Sequence, residues 1–123
     1  MNRSAPKPDL EAQLAHFRRS LIGEEGASAH TIAAYSRDLA LLQDLAGDED
    51  WAGLTPVVIR GFVRKLAARG LSGRSIARAL SAWRAFYRLM IRDFGWAQNP
   101  VDGVRPPKAA KKLPAALTAD DAC

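Results

Sequence analysis

Four stretches of this chain place apolar residues three and four positions apart, and each is bracketed by residues that start or stop helices. The first opens near Asp9, an N-cap candidate after Pro8. It carries Leu10, Leu14, Phe17 and Leu21 on one face and stops around Gly23 and Gly26. The second opens at Ser28 and carries Ile32, Tyr35, Leu39 and Leu42, then closes at Gly47 and the acids Asp48, Glu49 and Asp50. Thr55-Pro56 opens the third, a hydroxyl cap followed by proline at the first helical position. Ile59, Phe62, Val63 and Leu66 form its apolar stripe, and Gly70 supplies the stop. The fourth begins after Ser72 and runs to Phe94 and Gly95. No stretch shows the period-two alternation of a strand, so the expected fold is all-α with four helices.

Beyond Gly95 the pattern breaks. Asn99-Pro100 cannot continue a helix, because the residue before a proline avoids the α region. Pro100, Pro106, Pro107 and Pro114 then accompany Arg105, Lys108, Lys111 and Lys112, which reads as an extended basic linker. Thr118, Asp120 and Asp121 resemble a fresh hydroxyl cap with acids in a first helical turn. The expected organisation is a tail over 1–8, a helical domain over 9–100 and a linker over 101–117. The start of a further domain is expected over 118–123.

A length of 123 residues suits one small domain, and a 48% hydrophobic content supplies a modest core for it. No apolar run approaches the roughly 18 residues of a membrane span, and the charged opening does not resemble a secretory leader. The lone cysteine, Cys123, has no partner for a disulfide or a metal site. A cytoplasmic location is expected.

The net charge of +5 points to a polyanionic partner, and its distribution says more than its size. From Arg60 to Arg92 there is no Asp or Glu. That stretch holds Arg60, Arg64, Lys65, Arg69, Arg74, Arg78, Arg84, Arg88 and Arg92, half of the chain's 18 Lys and Arg. On a wheel of about 100° per residue with Arg74 at zero, Ile76, Leu80, Trp83, Tyr87, Met90 and Phe94 fall between about 160° and 240°. The five arginines of the fourth helix fall on the other side, between about 280° and 40°. A plain solvated face is the competing explanation. Such faces usually mix signs, however, and like charges at i,i+4 repel. Nucleic-acid contact is the expectation.

Ser28-Ala29-His30-Thr31-Ile32 and Ser72-Gly73-Arg74-Ser75-Ile76 share one layout, hydroxyls three apart at a helix start. Such ends can seat phosphates, although the hydroxyls by themselves are better explained as helix caps. Ala33, Ala34 and Arg37 lie off the apolar stripe of the second helix, where small side chains would let it approach a groove. His16 and His30 make no metal pair by spacing, and Tyr35, Tyr87, Trp51, Trp83 and Trp96 are read as packing residues. No phosphate-binding glycine loop, His-Glu-x-x-His or Cys-x-x-Cys is present, so no catalytic site, cofactor or metal is expected in this chain.

Three blocks carry a family resemblance: Thr31 to Leu39 with its T-x-x-x-Y-x-x-D-L pattern, Gly70 to Tyr87, and Asn99-Pro100-Val101. Together they resemble the N-terminal core-binding domain of XerC-type tyrosine recombinases, with Pro107-Lys108 through Leu113-Pro114 resembling the interdomain linker. The likeness covers nearly the whole chain. It implies a four-helix, SAM-like orthogonal bundle forming half of a clamp on double-stranded DNA, with the second and fourth helices toward the major groove. Carried over, Thr31, Arg37, Arg74, Ser75 and Arg78 are the expected DNA contacts, with Arg84 a further phosphate candidate. Arg105 and Lys108 add basic contacts from the linker. Ala33 and Ala34 stand where some relatives place longer side chains. The family's catalytic arginines, lysine, histidine and nucleophilic tyrosine belong to the domain expected to begin near Thr118, and none is present here. The parent would cut and rejoin DNA through a phosphotyrosine intermediate, in a heterotetramer with a XerD-like partner, to resolve chromosome dimers. A mobile-element integrase and a SAM-like protein-interaction module remain as alternatives; no membrane or small-molecule substrate is expected.

Overall fold

A computed structural model of the chain describes residues 8–107. Its elements are α1 (Pro8–Gly23), α2 (Ala29–Ala46), a single 3-10 turn (Trp51–Gly53), α3 (Pro56–Ala68) and α4 (Gly73–Phe94), with no strand among the described residues. Three of the expected caps are in place, whereas Asp9 lies inside the first turn of α1, which already begins at Pro8. Ser28 Oγ accepts the Thr31 N–H at 3.1 Å, Thr55 Oγ1 the Val58 N–H at 3.3 Å, and Ser72 Oγ the Ser75 N–H at 3.1 Å. Each satisfies a donor that the helix start would leave open. The acidic run after α2 builds structure too, since Asp50 Oδ1 accepts the Ala52 N–H and caps the 3-10 turn.

Helix α4 is the central element and packs most extensively on α2. Trp83, Phe86 and Tyr87 are completely buried, and Phe17, Trp51 and Trp96 meet Phe86 edge-on with ring centroids 5.3–6.0 Å apart. The two buried polar aromatics keep partners: Trp83 Nε1–H donates to the Asp38 carbonyl at 2.7 Å, and the Tyr87 hydroxyl to the Trp51 carbonyl at 2.6 Å. Burial pushes the Tyr87 phenol well above its ordinary range, with the nearby Asp50 charge adding to the effect.

The buried arc of α4 is wider than its sequence stripe. Ala79, Ala82, Phe86 and Leu89 are buried as well, Phe86 beneath Phe17, Trp51 and Trp96. Phe94, expected in the core, is 45% exposed and instead meets the His16 ring edge-on at 5.2 Å. The helix ends there because Gly95 turns left-handed, at φ 73°, and returns its N–H to the Met90 carbonyl. After it, Asn99 clips the chain back onto α4: Nδ2 donates to the Arg84 carbonyl and Oδ1 accepts the Val101 N–H. Pro100, Val101 and Val104 are buried, so the first residues of the expected linker pack on the bundle. Among the described residues no helix is long and apolar enough to cross a membrane.

Candidate nucleic-acid interface

The seam between α2 and α4 is joined by one buried carboxylate. Asp38 is 1% exposed, yet it sits under an arginine that is half in solvent. Arg78 donates Nε–H to Asp38 Oδ2 at 3.2 Å and an Nη2–H to Oδ1 at 3.3 Å, a side-on two-bond pairing. The carboxylate holds the Arg78 guanidinium still more firmly protonated than usual. The bridge therefore ties the middle of α2 to the second turn of α4, with Arg78 half in solvent. Arg37 and Arg74 are exposed, and neither has a partner among the described residues.

The rest of the arginine strip is not continuous. Arg84 donates to the Val104 carbonyl at 3.4 Å and lies 3.8 Å from Asp102, so it holds the chain that leaves α4. Arg92 pairs with Asp93 at 2.7 Å and with Glu24 at 3.1 Å; these bonds raise its own protonation range and lower that of both acids. His16 adds a 2.8 Å contact to Asp93, fastening α1 to the end of α4. Arg88 lines a shallow groove of about 350 Å³ with Phe17, Ser20, Tyr35, Glu24 and Glu25. Of the five arginines, Arg74 and Arg88 are exposed without a hydrogen-bond or ion-pair partner among the described residues.

The hydroxyls serve the helix starts. Thr31 Oγ1 accepts from Ser28 at 3.2 Å and Ser75 Oγ from Ser72 at 3.1 Å, in two matching pairs. The two pairs lie at opposite ends of the seam, since α2 and α4 pass each other in opposite senses: Asp38 meets Arg78, while Tyr35 shares its groove with Ala85 and Leu89. Arg105 is exposed just past the clip, and Lys108 lies outside the described residues.

A family model for the phage integrase N-terminal SAM-like domain matches residues 14–93, which span all four helices. The chain belongs to that family. Among its curated relatives is a protein named tyrosine recombinase XerC 1 from Ralstonia nicotianae, 46% identical over 98% of this chain and 38% of the relative. Tyrosine recombinase XerC of Ralstonia pickettii is 46% identical over 96% of this chain and 36% of its own length, and that of Pseudomonas aeruginosa 40% over 94% and 38%. The chain thus spans little more than a third of the length of these relatives. No solved structure matches it.

Within this SAM-like domain, the residue that sequence reasoning passed over is Asp38. It stands in the T-x-x-x-Y-x-x-D-L pattern, on the same side of α2 as Leu42 and Thr31, so a periodicity reading already puts a carboxylate at the edge of the apolar stripe. A buried acid needs a cation, and that was the available clue. Tyr87 is sealed in the core with a raised pKa, and Tyr35 is half-buried with its ring stacked on Phe17. Among the described residues no cluster of His, Cys, Asp or Glu could hold a metal ion.

Proposed function

We propose that this chain is the DNA-binding half-clamp of a XerC-like tyrosine recombinase, with the α2–α4 seam as its contact surface. The observation that carries the reading is the seam itself. Arg37 precedes Asp38 on α2 and Arg74 lies one helical turn before Arg78 on α4, both exposed and without a partner among the described residues, while Arg84 and Arg92 are engaged in holding the fold. The likeness to relatives named XerC over nearly the whole chain supports the same conclusion. Thr31 and Ser75 flank the surface as helix starts, where backbone dipoles favour phosphate. Arg105 extends it past the clip, and Lys108 follows in sequence. Cutting and rejoining of strands, through a phosphotyrosine and with a XerD-like partner, belongs to the longer parent. The parent works in the cytoplasm, and this half supplies grip and register without a cofactor.

Duplex binding by the chain should weaken steeply with salt, since each phosphate contact releases counterions. Replacing Arg37 and Arg74 by Ala should reduce the slope of log affinity against log salt by about 0.9 for each lost contact. Fluorescence anisotropy with a labelled random-sequence duplex measures it. An unchanged slope removes these two arginines from the interface. Absence of duplex binding at low salt favours the SAM-like protein-interaction module, with an acidic protein surface as its partner.

A further inference from the structure

Resting on the DNA-binding reading above, we infer that Asp38 makes Arg78 a fixed, charge-compensated donor that reads a base edge instead of a counter-ion for the backbone. Three observations carry this. First, Asp38 is buried, cannot reach DNA itself and has one cation to answer, Arg78. Second, the pairing uses the Nε and Nη2 side of the guanidinium. Arginine has five N–H donors, and this leaves three of them, two of which, one on Nη1 and one on Nη2, form a free end for another acceptor. That end matches two neighbouring acceptors in one plane, which O6 and N7 of a guanine present in the major groove. Third, Arg78 remains half-exposed, so the free end is open to solvent.

Charge separates the two roles. With a carboxylate at 3.2 Å the pair is neutral as a unit, so its attraction for phosphate is largely cancelled within a Debye length. Its hydrogen-bonding geometry is not cancelled. The carboxylate and the packing around it remove the rotamer freedom that a free arginine would lose on binding. Asp38 is itself held from a second direction, since its backbone carbonyl accepts the Trp83 indole N–H at 2.7 Å. Core, acid and arginine therefore form one rigid chain ending at the surface. Arg37 and Arg74, with no acid attached, are left as the mobile counter-ions.

The test uses the full chain as wild type, Asp38→Asn, Arg78→Gln and the double variant, each at a temperature where its circular dichroism shows it folded. Anisotropy with a random-sequence duplex gives the salt slope, and selection from a randomised duplex pool gives the base preference. Asp38→Asn uncovers a positive charge. Its slope should steepen by about 0.9, so that the affinity ratio between about 50 and 200 mM salt grows about 3.5-fold, while its base preference flattens. The double variant restores neutrality; it should regain the wild-type slope but not the preference, and it serves if Arg78→Gln alone leaves Asp38 too costly to bury. The inference is overturned if Asp38→Asn lowers only the melting temperature, with slope and preference as in wild type. It is overturned equally if the slope of the double variant falls below that of wild type by about 0.9, as it would if Arg78 were already a counter-ion for phosphate. Failure of the wild type to bind any duplex would overturn the DNA reading together with it.

Discussion

Tyr87 shows how a single buried group fixes the chain's response to pH. Its hydroxyl is closed in the core on the Trp51 carbonyl, and burial raises its pKa in the folded state. In the unfolded chain it would titrate near its ordinary value of about 10. Above that pH the unfolded state gives up the proton while the folded state keeps it, so stability is full below about pH 10 and falls as pH rises toward the folded value. Tyr87→Phe should lose about 1 kcal/mol at neutral pH with the hydrogen bond. It should also remove its one-proton share of the alkaline decline, read from melting temperatures across pH. An alkaline limb unchanged in the variant would show that Tyr87 does not control it. That Tyr87 and Trp83 are core residues was legible from the spacing of α4. What each bonds to was not, because Trp51 and Asp38 lie 36 and 45 residues away and only the packed bundle brings them close.

At the scale of elements, the helices were legible because their ends are written in local chemistry. Ser28, Thr55 and Ser72 cap as expected, and Gly95 stops α4 where the pattern does. Ser72→Ala should cost about 1 kcal/mol by freeing the Ser75 N–H at the start of the central helix. Thermal denaturation would register it as a drop of several degrees, and no drop would mean that the turn before α4 caps it otherwise. The arginine strip was less legible. An acid-free run from Arg60 to Arg92 reads as a continuous cationic face, yet Arg78, Arg84 and Arg92 find acids on other elements or just beyond the run. A helical wheel contains one helix and cannot place Asp38, Asp102 or Glu24 beside it. The stripe likewise set the core too narrow, because Phe86 beside it is buried under Phe17, Trp51 and Trp96 from other parts of the chain.

For the whole molecule, the fold divides its positive charge into two uses. Arg84 and Arg92 hold the exit chain and α1 against α4, while Arg37, beside Asp38 in the chain, and Arg74, one turn before Arg78, stay exposed. The proposed half-clamp is this second set on a rigid frame. Its most direct test is to follow the backbone amides and arginine Nε–H groups of the isotope-labelled chain by nuclear magnetic resonance while duplex DNA is added. Shifts should gather on α2 around Ala34 to Arg37 and on the first turns of α4 around Arg74 to Arg78, leaving Arg60 and Arg64 of α3 unmoved. Changes centred on α3, or on the Arg92–Glu24 contact, would place the DNA on a different face and contradict the account.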